Sequence, residues 1–315
     1  MNSNLDSLNP IQGKPASPTR GAVEHAPYRL VRLANGACSV HSEAEDETFH
    51  PVIGPAAEAE ALYIKQTGVR ERLANMPMGD EFIVWDVGLG AAANAISLLR
   101  ATAESPTRMG LISFDRTTEP AWFALRHQEA LGYLQGYADI LQRVLSEEGS
   151  SGGAPRSGSC FRNGQQQARW HLRIADFPTL LESKIELEAP HLVLFDAFSP
   201  ATNPEMWTLS LFKNLRRCLI DSRPCLMPTY SRSTMFRVTL LMAGFFVGRG
   251  HATGEKEETT VASNVRQEIL DPLDRGWLRR AERSTSAEPL RQSLYTQSRL
   301  TPETWERLQA HPQFA

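Results

Sequence analysis

Cysteine is scarce in this chain: Cys38, Cys160, Cys218 and Cys225 are the four among 315 residues. None forms a CxxC pair, so neither a disulfide framework nor a metal site is expected. Thiols packed as small hydrophobes are the plain expectation. No apolar run approaches the ~20 residues needed to cross a bilayer, and the N-terminus lacks the apolar stretch of an export signal. The expectation is therefore a cytoplasmic protein with no membrane association. An excess of one charge is missing too: 33 Lys and Arg stand against 36 Asp and Glu, a formal net charge of −3. That excludes a surface coated with positive charge. It leaves room for a local basic face, because phosphate contacts need only a handful of Arg or Lys. No internal repeat is present.

What is present is a β/α alternation. Residues 1–26 are polar and rich in Ser, Asn, Pro and Gly, which predicts a disordered arm. Two alternating runs, 28–33 and 37–41, flank Asn35-Gly36, a hairpin signal. A helix is expected over 56–65, completing a small β/α cap over residues 27–80. Short apolar strands are expected at 82–87, 109–114, 170–174, 192–195 and 225–230, with 245–247 and 259–262 as a closing antiparallel pair. Helices are expected at 92–101, 121–146, 205–219 and 234–243. Continuous apolar strands separated by helices imply a parallel sheet covered on both faces. The expectation is a Rossmann-like α/β fold over residues 81–264, its seven-stranded sheet mostly parallel. Residues 148–167, dense in Gly, Ser, Gln and Arg, read as a flexible insertion. Residues 265–315 read as an Arg-rich tail with one short helix near Pro302, where Thr301 suits the cap.

The sharpest chemical feature is Asp86-Val87-Gly88-Leu89-Gly90, at the carboxyl end of the first apolar strand. Ligands of open α/β sheets bind at that edge, and Gly88 and Gly90 let the backbone approach a ligand without a Cβ in the way. Asp115 follows the second strand, where an acid can accept hydrogen bonds from ribose hydroxyls. Asp176 follows the third, where an acid can reach the exocyclic amine of adenine. The alternative for both is helix capping. A glycine turn with acids ending three successive strands outlines an adenosyl ligand. Asp86, placed just before the turn, suits a ligand with a cationic amino-acid end better than the pyrophosphate of NAD. S-adenosylmethionine (SAM) has such an end. Asp196 ends the fourth strand, where a SAM fold presents its reactive methyl. A carboxylate there can orient an amine nucleophile, and Phe198 and Trp207 offer stacking surface or, alternatively, ordinary core packing.

The stretch Asp196-Ala197-Phe198-Ser199-Pro200-Ala201-Thr202-Asn203-Pro204-Glu205-Met206-Trp207 closely resembles the Asp-Gly-Phe-x-Pro-x-x-Asn-Pro-x-Met-Trp element of the MnmC-type methyltransferase family. Further matches are the glycine loop with Asn94, the run Ser113-Phe114-Asp115, and Thr229-Tyr230-Ser231 followed by Arg237. His41-Ser42, Glu47-Thr48-Phe49-His50 and Glu58 also look like the family's opening segment. The sequence departs from the family at Ala92 and Ala197, where glycines are usual, and at Thr202, where a basic residue is common.

The resemblance implies a class I SAM methyltransferase without the flavin-dependent oxidase domain fused to some relatives. It implies methylation of 5-aminomethyl-2-thiouridine at the tRNA wobble position to 5-methylaminomethyl-2-thiouridine. A separate enzyme would then supply the aminomethyl precursor. Asp196 takes the catalytic place. Asp86, Gly88, Gly90, Asn94, Asp115 and Asp176 bind the cofactor. Phe198, Pro200, Asn203, Met206, Trp207, Tyr230 and Arg237 meet the substrate. For RNA, Arg216, Arg217, Arg232 and Arg237 are the expected basic surface, joined by Arg279, Arg280 and Arg283. Two other readings stay open: a SAM methyltransferase for a small-molecule amine, and a SAM-fold binding protein without catalysis.

Overall fold

A computed structural model describes residues 27–148, 158–183, 186–253 and 257–315. The expected arm, 1–26, lies outside the described residues. The chain opens with a three-stranded antiparallel sheet, β1 (Tyr28–Arg32), β2 (Cys38–Ser42) and β3 (Glu47–Thr48). Asn35-Gly36 makes its first turn, with Gly36 at a φ of 85° that suits glycine. Helix α1 (Pro55–Ala59) runs into a π-helical turn, Glu60–Lys65, and α2 (Val69–Ala74) follows.

The main sheet then begins with β4 (Glu81–Val87), α3 (Ala93–Thr102) and β5 (Arg108–Asp115). The single helix expected at 121–146 is three: α4 (Glu119–Arg126), α5 (Gln128–Leu131) and α6 (Ala138–Glu148). Gly132 and Gly136, at φ values of 72° and 81°, turn the chain between α5 and α6, where helical spacing of the leucines had suggested continuity. Next come β6 (Ser159–Asn163), β7 (Gln166–Ile174), α7 (Phe177–Glu182), β8 (Leu192–Phe195), α8 (Leu209–Arg217) and β9 (Leu226–Thr229). Helix α9 (Thr234–Met242) leads to the antiparallel pair β10 (Phe246–Gly250) and β11 (Thr259–Ser263).

The sheet order is β10-β11-β9-β8-β4-β5-β7-β6. Its centre, from β9 to β7, is parallel. It therefore has eight strands rather than the expected seven. The eighth, β6, comes from the stretch read as an insertion: it pairs antiparallel with β7 from Ser159 to Asn163. Polar composition hid it because an edge strand needs only one apolar face. Residues 149–157 of that stretch lie outside the described residues.

Side chains of β4 show how the sheet is sandwiched. Phe82 and Val84 join the cluster formed with α3, α4 and α6, whereas Ile83, Trp85 and Val87 join the cluster formed with α7, α8 and α9. The C-terminal segment belongs to the second cluster, so it is no loose tail. Helix α10 (Arg275–Arg283) buries Trp277, Leu278 and Ala281 there, and α11 (Pro302–Gln309) buries Leu308. The arginines that dominate its composition, Arg279, Arg280 and Arg283, occupy the exposed face of α10. Among the described residues, no helix is long and apolar enough to cross a membrane.

The topology fixes the site. The chain builds outward from β4 through β5 to β7, then returns to the other side of β4 with β8. The crevice at the carboxyl ends of β4 and β8 is where such a sheet binds ligands.

Candidate functional site

A cavity of about 560 Å³ occupies that crevice. The glycine loop after β4 forms its floor. Gly88 has a φ of 92°, and a Cβ there would lie 2.5 Å from the Asp196 carbonyl oxygen, so only glycine fits. Gly90 has a φ of 50° and lies under the ring of Phe49. Ala92, where the family has glycine, adopts the same left-handed region at a φ of 64° and caps α3.

Asp115 ties the loop to β5. Its Oδ2 accepts from the Gly90 amide at 2.8 Å, and its Oδ1 accepts from the amides of Arg116 and Thr117. Burial pushes its carboxyl above the usual range, against the pull of those three amides. Asp86 lies one layer deeper, fully buried, and is not among the residues lining the cavity. Its Oδ2 accepts from Ser113 Oγ at 2.7 Å, and its Oδ1 has no hydrogen-bond partner among the described residues. Burial pushes its carboxyl up to about 7.

A stability prediction follows for the ligand-free protein. Between the ordinary aspartate value near 4 and about 7, the folded state holds a proton that the unfolded chain has released. The contribution of Asp86 is thus fully present at low pH and is lost as the pH rises towards 7, on the order of a few kcal/mol. Thermal melts of Asp86→Asn should lack this component, with the variant gaining on wild type at pH 8.

Asp196 stands at the far wall, its loop pinned by aromatic donors. Tyr63 Oη donates to the carbonyl of Phe195, Tyr230 Oη to that of Ala197 and Trp207 Nε1 to that of Phe198. The Asp196 amide itself donates to Val87 O at 3.0 Å. Its Oδ2 accepts from Asn94 Nδ2 at 2.7 Å and lies 3.7 Å from His50 Nε2. The roof comes from the N-terminal sheet. Glu47 accepts from the Ser199 amide and from the hydroxyls of Ser199 and Thr202, and the Phe49 ring meets Phe198 edge-on, centroids 5.4 Å apart. Thr202, which replaces the family's basic residue, thereby serves the latch.

Of the residues singled out from sequence, Gly88, Gly90, Asn94, Asp115, Asp196, Phe198, Asn203, Met206 and Tyr230 line the cavity together. Four do not. Asp176 caps α7, its Oδ1 accepting from the amide and hydroxyl of Thr179, so it fills the capping role instead of lining the cavity. Arg237 is buried and engaged by Glu258, Thr260 Oγ1 and the carbonyl of Thr259, which removes it from any substrate surface. Trp207 is fully buried against Phe195 and Phe236, a core residue rather than a stacking platform. Pro200 is partly buried outside the cavity lining. The basic surface is also reduced: Arg216 pairs with Asp221, and Arg217 with Asn214. Sequence reasoning gave no role to Glu47, Phe49, His50 or Glu58, although the family resemblance had marked their segment.

The cavity fits SAM. Its charged lining is acidic, with Glu47, Glu58, Asp115 and Asp196 inside, Glu45 and Asp46 at the margin, and Arg116 as the one guanidinium among the described residues. Such a field favours a cationic ligand and repels a pyrophosphate. The buried acceptors Asn94 Oδ1 and Asn203 Oδ1 lack partners among the described residues, so a ligand bearing N–H donors would complete them.

Residues 159–265 match a family model described as S-adenosyl-L-methionine-dependent methyltransferase. The tRNA 5-methylaminomethyl-2-thiouridine biosynthesis bifunctional protein MnmC of Pseudomonas putida is 26% identical over 232 residues, 69% of this chain and 32% of that protein. Its counterpart in Leptospira interrogans is 22% identical over 256 residues, 80% of this chain and 38% of the relative. The chain thus spans about a third of the length of the curated relatives it matches. Among solved structures, MNMC2 from Aquifex aeolicus superposes with a TM-score of 0.62 at 21% identity, over 92% of this chain and 84% of that one, a likeness of fold. With the glycine loop, the acid after β5 and the acidic crevice in place, the chain is a SAM-dependent methyltransferase homologous to the methyltransferase part of the MnmC proteins.

Proposed function

We propose that this chain methylates the aminomethyl group of 5-aminomethyl-2-thiouridine at the tRNA wobble position, giving 5-methylaminomethyl-2-thiouridine. The observation that carries the reading is the carboxylate of Asp196, held by Asn94 at the wall of the SAM crevice and flanked by Phe198 and Tyr230. The related MnmC proteins, named for 5-methylaminomethyl-2-thiouridine biosynthesis in tRNA, supply the substrate class. In this reading residues 81–264 are the catalytic unit and residues 27–80 its cap. The SAM contacts fall to Gly88, Gly90, Asn94 and Asp115, with Asp86 supporting the loop from below.

When bound, SAM supplies an electrophilic methyl group on a sulfonium sulfur. The amine must arrive neutral, at a near-attack distance of about 3–3.5 Å. An alkylamine ordinarily holds its proton up to a pH of ~10. Removal from water weakens that hold, whereas a neighbouring carboxylate strengthens it. Asp196 is therefore foremost an orienting acceptor: it takes one N–H of the amine and leaves the lone pair aimed at the methyl. Once the new N–C bond has formed, the extra proton on nitrogen leaves towards water past the same carboxylate. Phe198 and Tyr230 provide the flat surfaces on which an extruded base stacks.

A second reading, a small-molecule amine as acceptor, is favoured by the acidic margin at Glu45 and Asp46, which repels phosphates. Mass spectrometry of tRNA nucleosides separates the two. Cells lacking this protein should accumulate 5-aminomethyl-2-thiouridine and lose its N-methyl derivative, and purified protein with SAM should restore it. Unchanged nucleosides would transfer the assignment to the small amine.

A further inference from the structure

Asp196 does not face the cavity alone. His50, just after β3, places its ring between two carboxylates, with Nε2 3.7 Å from Asp196 Oδ2 and Nδ1 3.8 Å from Glu58 Oε1. The three side chains come from the N-terminal sheet, α1 and the loop after β8, and all three line the cavity. Their side chains are 9%, 11% and 16% exposed for His50, Glu58 and Asp196, so water screens the pairs poorly.

The backbone also shows that this placement is imposed. His50 has a φ of 49°, a left-handed conformation uncommon outside glycine. Such strain persists where the surroundings over-determine it, and it gathers at functional sites. Here the neighbouring Glu47 latch and the Phe49 contact hold the segment down while the turn drives the ring inwards.

Resting on the reading of Asp196 given above, we propose that His50 is a positioning residue for methyl transfer. As an imidazolium anchored by Glu58, it holds the Asp196 carboxylate ionised and turned towards the acceptor amine. Asn94 fixes the same oxygen, Oδ2, from the opposite element. The charged groups facing the ring are Glu58 on α1, Asp196 after β8 and, further off, Asp86 at the end of β4. The phenols of Tyr63 and Tyr230 face the same two carboxylates, and burial keeps both protonated. Burial pulls the imidazole towards neutrality, but Asp196 and Glu58 outweigh it and raise its pKa above the ordinary histidine value.

The test is a titration of the full-length protein without substrate, following the His50 ring by NMR with ¹³C-labelled histidine, assigned with His50→Gln. Asp196→Asn and Glu58→Gln should each lower the His50 midpoint by about one pH unit or more, because each removes an anion that favours the cation. The kinetic arm uses His50→Gln with SAM and the amine acceptor. The expected result is a 10- to 100-fold loss in kcat, with the acidic limb of the kcat–pH profile displaced upwards and SAM affinity held within about threefold. A merely structural histidine would lower activity and SAM binding together without moving that limb. A His50 midpoint that stays fixed in both carboxylate variants overturns the proposal, as does His50→Gln with the wild-type kcat and pH profile. The NMR arm reads the triad whatever the acceptor proves to be. Failure of tRNA methylation and failure of the histidine relay are therefore separate results.

Discussion

Replacing Asp196 by asparagine is expected to lower kcat by roughly 10²–10⁴ while leaving the SAM dissociation constant within about threefold. The substitution keeps the shape and the hydrogen bond from Asn94 Nδ2, so the pinned loop and the cavity walls stay in place. What is lost is negative charge beside the amine, which matters most when nitrogen becomes cationic in the transition state. A factor of 10³ corresponds to about 4 kcal/mol of transition-state stabilisation, within reach of one preorganised charge in a site shielded from water. Single-turnover methylation measured beside SAM calorimetry checks the split. Equal loss of binding and turnover would move Asp196 from the acceptor side to the cofactor.

Replacing Asp115 by alanine is expected to do the reverse, weakening SAM by about 100-fold or more. Its carboxylate accepts the amides of Gly90, Arg116 and Thr117 and also lines the cavity. Two losses therefore combine: the acceptor for the ligand's hydroxyls, and the tie that holds the glycine loop to β5. Hydrogen bonds to a charged group contribute about 1.5–3 kcal/mol each, so losing those to the ligand accounts for an effect of this size. Calorimetry with SAM gives the affinity directly. The kcat at saturating SAM should fall far less than in the Asp196 variant, because in the proposed reading Asp115 meets the ribose and not the methyl group. A variant that binds SAM as tightly as wild type would remove Asp115 from the site.

The parts of this site visible in the sequence are those that a parallel sheet places automatically. Asp86 and Asp115 end apolar strands, the glycine loop and Asp196 follow them, and adjacent parallel strands bring their carboxyl ends together. Asp176 follows a strand too, but Thr179 three residues on offers the amide and hydroxyl that it caps. That local competition was visible as an alternative and prevailed. Trp207 and Arg237 misled because their surroundings are tertiary: the indole and the guanidinium both find partners inside the fold. His50 and Glu58 gave no chemical signal of their own, because only folding brings them to Asp196. In the C-terminal segment the helical spacing of Trp277, Leu278 and Ala281 was legible, but arginines between and beyond them masked it.

The latch between Glu47 and Ser199 spans 152 positions of the chain. During synthesis the hairpin that roofs the crevice emerges long before the strand to which it fastens. The site can therefore close only after the chain has been made past Ser199 and β8 has joined β4. A nascent chain arrested before that strand would display the roof with nothing beneath it.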